Sequence, residues 1–146
     1  MSKTVRIGAG QGFYGDTFFP ALEIAQKGNV QYIAFDALAE LTLAILQKDR
    51  QKDPSLGYTR DLPIFMQWLL PVCREKGIRL ITNAGGIHPE GAMEKVLAVA
   101  KRMGMTGLKV GMVTGDDVHP RLDELRTKGV GLTNVDTGEP FDTIKD

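Results

Sequence analysis

Short apolar runs along the chain alternate with longer segments in which apolar residues recur every three or four positions. The short runs predict strands at residues 4–9, 31–35, 79–82 and 107–113, with a fifth strand beginning near residue 130. The longer segments predict amphipathic helices between the strands. Alternation of this kind is typical of βαβ units and a mostly parallel sheet.

Four apolar stripes at helical spacing support the predicted helices. Their members are Phe18, Ala21, Leu22 and Ala25; Leu38, Leu41 and Ile45; Phe65, Leu69 and Val72; and Met93, Val96, Leu97, Ala100 and Met103. Proline is tolerated in a first helical turn, and glycine can adopt the left-handed conformation that often ends a helix. We therefore assign helix starts to Pro63, Pro89 and Pro120, and left-handed caps to Gly28, Gly77, Gly104 and Gly129.

The fold predicted from these elements is a three-layer α/β/α sandwich around a mostly parallel, Rossmann-like sheet. We expect one α/β domain over residues 1–146, with the strand containing Val5 in the centre and a strand order of 2-1-3-4. Residues 130–146 offer turn residues but no helix to cover a fifth strand. We therefore expect the N-terminal portion of a longer architecture, assembled as a homo-oligomer that buries this tail or the sheet face it leaves bare.

Composition narrows the range of partners. The 146 residues include 18 basic and 18 acidic side chains, and this balance favours neither nucleic acid nor an anionic membrane surface as a partner. The single cysteine, Cys73, excludes an internal disulfide and falls in a predicted helix at residues 61–76, where a buried, unreactive thiol is expected. No segment has the apolar length of a membrane span, and the N-terminus lacks a signal-peptide pattern, so we expect a cytoplasmic protein.

The glycine-rich stretch GAGQGFYGDT, residues 8–17, follows the first predicted strand. Gly10, Gly12 and Gly15 have the G-x-G-x-x-G spacing of a dinucleotide-binding turn, and Asp36 lies where a ribose-binding acid belongs. However, Asp16 and Thr17 resemble a helix N-cap, so the helix would begin too late for that motif. Dinucleotide binding therefore remains an alternative.

Two other interpretations of this loop are open. The glycines can serve only a tight turn with Phe13 and Tyr14 packed beneath it, or the backbone N–H groups can form an anion cradle. The loop follows the carboxyl end of a parallel strand, which is where open α/β sheets bind ligands, so ligand contact is favoured. The ligand-binding candidates in this loop are Gly10, Gln11, Gly12, Phe13, Tyr14, Gly15 and Asp16.

The loops after the second and third predicted strands should open on the same edge. Asp36 and Glu40 are catalytic candidates because paired carboxylates can divide acid and base roles. The equally weighted alternative makes Asp36 the N-cap of a helix beginning at Leu38, and Glu40 a partner of the helix dipole. In the next loop, ligand-binding candidates are Asn83, Gly85 and Gly86, and His88 is expected at a helix N-cap.

The loop after the predicted fourth strand contains adjacent acids. Asp116 is a catalytic candidate and Asp117 a ligand-binding candidate, although both can instead cap the helix that begins near Pro120. We assign no metal site, since the chain has only two histidines and no thiol near them, and we name no cofactor. Neither a serine-hydrolase elbow nor a P-loop motif is present.

Five motifs in order give the chain a specific resemblance. The segments GAGQGFYGD, FDALAEL, TNAGGIHP, LKVGMVTGDDV and LTNVDTGEPF resemble the N-terminal part of the acyclic terpene utilisation protein A (AtuA) family. The resemblance implies a bacterial-type cytoplasmic protein involved in the breakdown of branched acyclic terpenoids such as citronellol and geraniol, through acyl-CoA intermediates. It implies no particular reaction. Members of this family are several times longer, and they usually have asparagine where this chain has His88.

Motifs and resemblance together predict a catabolic protein that binds a small molecule. We expect an acyl-CoA or a carboxylate intermediate to bind at the carboxyl edge of the strands, with an undefined reaction. The alternatives are a non-catalytic subunit or truncated remnant, and a dinucleotide-binding Rossmann protein that uses Gly10, Gly12, Gly15 and Asp36.

Overall fold

A small parallel sheet organises the larger part of the computed structural model, which describes residues 4–143. Its strands are β1 (Ile7–Ala9), β2 (Tyr32–Phe35) and β3 (Arg79–Thr82), and both pairings are parallel, as the alternation predicted. The order is β1-β2-β3, so β2 is the central strand. The predicted order 2-1-3-4 is therefore wrong, because local hydrophobicity identifies strands without identifying their neighbours.

Five α-helices accompany the three strands in the described chain. Pro63 and Pro89 lie in first turns as predicted, and Pro120 lies in a 3₁₀ turn. The helices are α1 (Phe19–Lys27), α2 (Glu40–Lys52), α3 (Leu62–Lys76), α4 (Pro89–Arg102) and α5 (Leu122–Thr127), with 3₁₀ turns at His119–Arg121 and Phe141–Thr143.

Helix ends follow the glycine pattern with one exception. Gly77 caps α3 in the left-handed region (φ 67°), and Gly104 and Gly129 also have positive φ. Gly28 instead is extended (φ −77°), so its predicted left-handed cap is wrong. The carbonyl oxygen of Ile24 would lie 2.6 Å from a Cβ at Gly28, so glycine is needed there for close approach and not for a positive φ.

The core lies on one face of the sheet. Ile33 and Phe35 of β2 point into it, and the Phe35 ring stacks on Phe65 of α3 with centroids 4.9 Å apart. On the opposite face, Ile7 is 64% exposed and Ile81 is 55% exposed. The structure therefore has a mixed helix-and-strand fold around a three-stranded parallel sheet, with a bare apolar face within the described residues.

The predicted fourth and fifth strands are absent from the described chain. Residues 107–113 keep the expected alternation, with Leu108 and Val110 half-buried against the core and Lys109 exposed, but they form no strand. Near residue 130 there is only an isolated antiparallel bridge between Thr133 and Pro140. Both strand predictions are wrong because alternation indicates which side of a segment packs, whereas a strand also requires a neighbouring backbone to bond with.

The chain divides into two compact units, Met1–Val113 and Thr114–Asp146, which we describe separately. The first contains the sheet and α1 to α4, and the second contains α5 and both 3₁₀ turns. In the second unit, Asn134 accepts hydrogen bonds from the N–H groups of Asp136 and Thr137, which forms the predicted turn. The single-domain organisation stays a prediction. Between residues 4 and 143, no helix combines the length and apolarity needed to cross a bilayer.

Cys73 tests the packing of α3. It is 3% exposed, and burial raises the pKa of its thiol from 9.0 to about 11. Because the thiolate is the nucleophile, we expect slow labelling by a thiol reagent at pH 8 in the native state and rapid labelling in denaturant. The raised pKa stabilises the fold below pH 9, and that contribution is lost as the pH rises through about 11. Rapid native labelling at pH 8 would contradict this packing.

The uncovered sheet leads us to expect a homo-oligomer. Within the described residues, β1 and β3 each pair only with β2, so each has one unpaired edge, and the bare face carries exposed Ile7 and Ile81. Unpaired edges and apolar surface favour association between copies. Light scattering on the purified chain at micromolar concentration should give a dimer or larger assembly. A concentration-independent monomer would disprove this expectation.

Candidate functional site at the carboxyl edge of the sheet

Main-chain hydrogen bonds join the loops that follow the three strands. The N–H of Gly10 donates to the carbonyl of Ala34 (2.6 Å), and the N–H of Asp36 donates to the carbonyl of Gln11 (3.1 Å). The N–H of Ala37 then donates to the side-chain oxygen of Asn83 (2.7 Å). The structure thus brings three of the four predicted loops together at the carboxyl edge of the sheet.

Asp36 and Asn83 form the polar pair of this edge. The amide of Asn83 donates to Asp36 Oδ1 (2.9 Å), and both side chains are exposed. Helix α2 begins at Glu40 with Ala39 as its N-cap, so the alternative that Asp36 caps a helix starting at Leu38 is wrong. The Asp36 carboxylate is therefore positioned by Asn83 and not by the end of α2. Glu40 is exposed in the first turn of α2, as the dipole interpretation predicted.

An open groove of about 550 Å³ lies over the bare face and ends at the Asp36–Asn83 pair. Its floor is apolar and its polar groups gather at the carboxyl edge. The lining residues are Ile7, Gly8, Ala9, Ala34, Phe35, Asp36, Ile81, Thr82 and Asn83. A ligand with an apolar body and one polar end would match this distribution.

The opening loop is held together by its own carboxylate. Asp16 accepts hydrogen bonds from the N–H of Gly12 (3.0 Å) and the N–H of Thr17 (2.7 Å). Helix α1 begins only at Phe19 with Phe18 as its N-cap, so the helix does start late, but Asp16 and Thr17 are not its N-cap. Asp16 therefore occupies two of the N–H groups that an anion cradle in this loop would use.

The candidate glycines fall into two groups. At Gly10 a Cβ would lie 2.6 Å from the Phe35 ring, and at Gly86 (φ 55°) it would lie 2.6 Å from the Gly57 carbonyl oxygen. Gly85 is also crowded, since a Cβ would lie 3.1 Å from Pro89. At Gly12 the nearest atom would be Asp16 Oδ2 at 3.8 Å, and at Gly15 (φ 85°) no atom lies within 4 Å. Packing thus explains the first group and leaves the second without a packing reason.

Aromatic and amide side chains of the opening loop point in different directions. Phe13 is 62% exposed, so the interpretation that places it beneath the turn is wrong for that residue. The hydroxyl of Tyr14 accepts a hydrogen bond from the N–H of Arg60 (3.3 Å). Gln11 is buried, and its amide donates to the carbonyl of Asp16 (2.7 Å) and to Asp61 Oδ2 (3.0 Å). The loop is therefore attached to the segment between α2 and α3.

The connection between α2 and α3 contributes residues that sequence reasoning missed. Its sequence is mostly polar, yet Tyr58 and Thr59 are buried and the N–H of Thr59 donates to the carbonyl of Ala84 (2.9 Å). His88 is the N-cap residue of α4 as expected, but its Nδ1 is hydrogen-bonded to the carbonyl of Leu56 (2.9 Å). An aromatic residue within a polar segment was the available signal that this connection folds inward.

The acidic pair after residue 113 lies in the second unit. Asp117 accepts a hydrogen bond from the N–H of His119 (3.0 Å), but Val118 is the N-cap residue of the 3₁₀ turn and no side chain caps it, so the capping alternative is wrong for both acids. Asp116 is exposed. Because residues 107–113 form no strand, the argument that placed these acids on the sheet edge no longer applies. Their site roles remain proposals. Across residues 4–143, no three His, Cys, Asp or Glu side chains are grouped as metal ligands.

The fold and the edge define an α/β protein whose polar loops meet at the carboxyl ends of a small parallel sheet. Over residues 5–146 the chain matches the family model described as acyclic terpene utilisation family protein AtuA, and it belongs to this family. The resemblance carried by the five motifs is thereby confirmed. No curated protein and no solved structure matches the chain.

Two glycine variants separate the packing and ligand interpretations of the opening loop. We expect Gly10→Ala to lower the free energy of unfolding by about 1–3 kcal/mol, because its Cβ would overlap the Phe35 ring. Gly12→Val should retain the native circular dichroism, because its side chain would point into open space beside Asp16. The same side chain should abolish ligand binding, because it would prevent the close approach of a ligand to the backbone that glycine permits. Denaturant unfolding and the circular dichroism spectrum report these effects. Unfolding of Gly12→Val would instead support a purely structural turn.

Proposed function

We propose that this chain binds a small-molecule intermediate of acyclic terpene breakdown in the groove on the bare sheet face. The branched hydrocarbon part would lie on Ile7, Ala34 and Ile81, and the functional group would reach Asp36 and Asn83. The observation that carries this proposal is the division of the groove into an apolar floor and one polar end. Membership of the AtuA family supports the class of compound.

The charge at the polar end of the groove favours a neutral thioester carbonyl over a free carboxylate at that end. Asp36 is the charged residue of the lining, and no lysine or arginine lines the groove in the described part of the chain. A free carboxylate would approach Asp36 without a compensating cation, whereas a thioester carbonyl is neutral. The amide of Asn83 has two N–H groups, and one of them donates to Asp36. The other is available in this proposal to bind the thioester oxygen.

Catalytic roles follow from the same arrangement. Asp36 is the proposed proton acceptor, because it is exposed, lines the groove and is oriented by Asn83. Glu40, four residues later in the first turn of α2, is proposed as its partner. Asp116 belongs to the second unit, so its catalytic role stays a prediction from the sequence. Gly12, Phe13 and Gly15, which are exposed, would contact the ligand from the opening loop. The cytoplasm is the proposed location.

We also propose that a second layer of protein covers the groove. The three-layer, Rossmann-like sandwich expected from the sequence requires a cover on the bare face, and a second copy of the chain would supply it in the expected homo-oligomer. The rival function is a non-catalytic subunit or remnant. It is favoured by the open form of the groove, and it predicts ligand binding without turnover.

Thermal unfolding with matched ligands tests the proposal. We expect a branched acyl-CoA thioester to raise the unfolding midpoint in a saturable way, and the corresponding free acid and CoA alone to raise it less. Ile81→Ala should weaken thioester binding about 5- to 30-fold, equivalent to about 1–2 kcal/mol of lost apolar contact. Ile64→Ala is the matched control, because Ile64 on α3 and Ile81 in the groove are both 55% exposed.

The Asp36→Asn variant tests the effect of the groove charge in the same experiment. Asp36→Asn removes the repulsion between the groove and a carboxylate, so it should narrow the difference between thioester and free acid. Absence of any thioester response, or equal losses in Ile81→Ala and Ile64→Ala, would disprove binding in the groove.

A further inference from the structure

Three buried oxygen atoms without hydrogen-bond partners lie where the opening loop meets the α2–α3 connection. They are Gln11 Oε1, Thr59 Oγ1 and Asp61 Oδ1. Gln11 is 5% exposed and Thr59 is fully buried. Unpaired buried polar atoms are uncommon in folded proteins. Here two of them belong to side chains that are bonded to each other, Gln11 and Asp61, and the third belongs to Thr59, two residues before Asp61.

The orientation of the Gln11 amide is determined by its partners. Its Nε2 donates to the main-chain oxygen of Asp16 (2.7 Å) and to Asp61 Oδ2 (3.0 Å), and both partners can only accept. Rotating the amide by half a turn would place oxygen against oxygen at both contacts. Gln11 Oε1 is therefore an acceptor, and Asp61 Oδ1 is the second acceptor of the same linked pair.

The Asp61 side chain does not cap α3, although Asp61 occupies the N-cap position. It is the N-cap residue of α3, where a carboxylate commonly accepts from its own helix, yet its side chain makes no capping bond. Main-chain carbonyls serve the first turn instead, with the N–H of Leu62 bonded to Thr59 (3.2 Å) and that of Ile64 to Asp61 (2.9 Å). The carboxylate is held instead by Gln11 from the opening loop.

Arg60, the cation next to Asp61 in the chain, is not bonded to the Asp61 carboxylate. The adjacent Arg60 is directed to Asp49, with its guanidinium 2.7 Å from Asp49 Oδ1 and 3.1 Å from Asp49 Oδ2. The junction therefore contains a carboxylate oxygen, an amide oxygen and a hydroxyl oxygen. Hard divalent cations prefer this set of ligand atoms.

We propose that Gln11, Thr59 and Asp61 form a site for a hard divalent cation, Mg²⁺ or Ca²⁺. A cation satisfies several acceptors together. Gln11 Oε1 and Asp61 Oδ1 are acceptors on two side chains joined by a hydrogen bond, and the Thr59 hydroxyl lies two residues before Asp61 in the chain. The bound ion would fasten the opening loop to the α2–α3 connection. The proposal does not depend on what occupies the groove. A buried water is the rival occupant, since it would donate to both acceptors and accept from Thr59.

Thermal unfolding of the full chain after treatment with EDTA and buffer exchange provides the test. MgCl₂ and CaCl₂ are titrated separately, with KCl at matched ionic strength as the reference. We expect a saturable rise in the midpoint with at least one divalent cation and none with KCl. Titration calorimetry with the same salt should give one ion per chain.

Isosteric variants distinguish a cation from a water or an empty junction. Asp61→Asn should abolish the response, whereas Asp53→Asn should retain it, because Asp53 is an exposed carboxylate of the same connection that bonds the N–H of Ser55. Thr59→Val should weaken the response without lowering the metal-free midpoint, because it removes an unpaired buried hydroxyl. An equal response in Asp61→Asn, or no saturable response in the unchanged chain, would disprove the cation site.

Discussion

The close packing of the Phe35 ring between Gly10 and Phe65 is the contact on which the candidate site depends. Phe35 is the last residue of the central strand, its ring stacks within 6° of parallel on Phe65, and Gly10 leaves no room for a Cβ above it. This contact brings the backbone of the opening loop against β2. Gln11 and Asp36 follow directly on the two segments, and they meet through a main-chain hydrogen bond. The packing of Phe35 in the core therefore determines where the loops at the carboxyl edge lie.

Polar side chains at this edge serve mainly to connect loops to one another. Asp16 binds N–H groups of its own loop, Asn83 joins the ends of β2 and β3, and His88 holds the α2–α3 connection. Such bonds satisfy groups that burial would otherwise leave unpaired. They also reduce the number of polar side chains at this edge that are free to bind a ligand. The two proposals assign ligands to Asp36 at the end of the groove and to the unpaired oxygens of Gln11, Thr59 and Asp61.

Much of the local structure was predictable from the sequence. The β2 and β3 runs, the helix at Leu62–Lys76 and the first-turn prolines follow from periodicity and the missing N–H of proline, both of which act over a few residues. Burial of Cys73 follows from its place on an apolar helix face. The grouping of the first three loops was also predictable, because parallel strands place their carboxyl ends on one edge. Family membership was visible in the motifs themselves.

Tertiary structure alone decided the partners of these elements. Strand order and the absence of a strand at residues 107–113 depend on which backbone edge is available, and hydrophobic alternation carries no information about that edge. Asp61 contacts Gln11 because a polar connection folded back onto a loop 50 residues away from Asp61. Contacts of that kind depend on chain reversal over long separations. The sequence alone determined which segments were helices and which groups were polar, and the fold decided which of those polar groups would meet and which would be left unpaired.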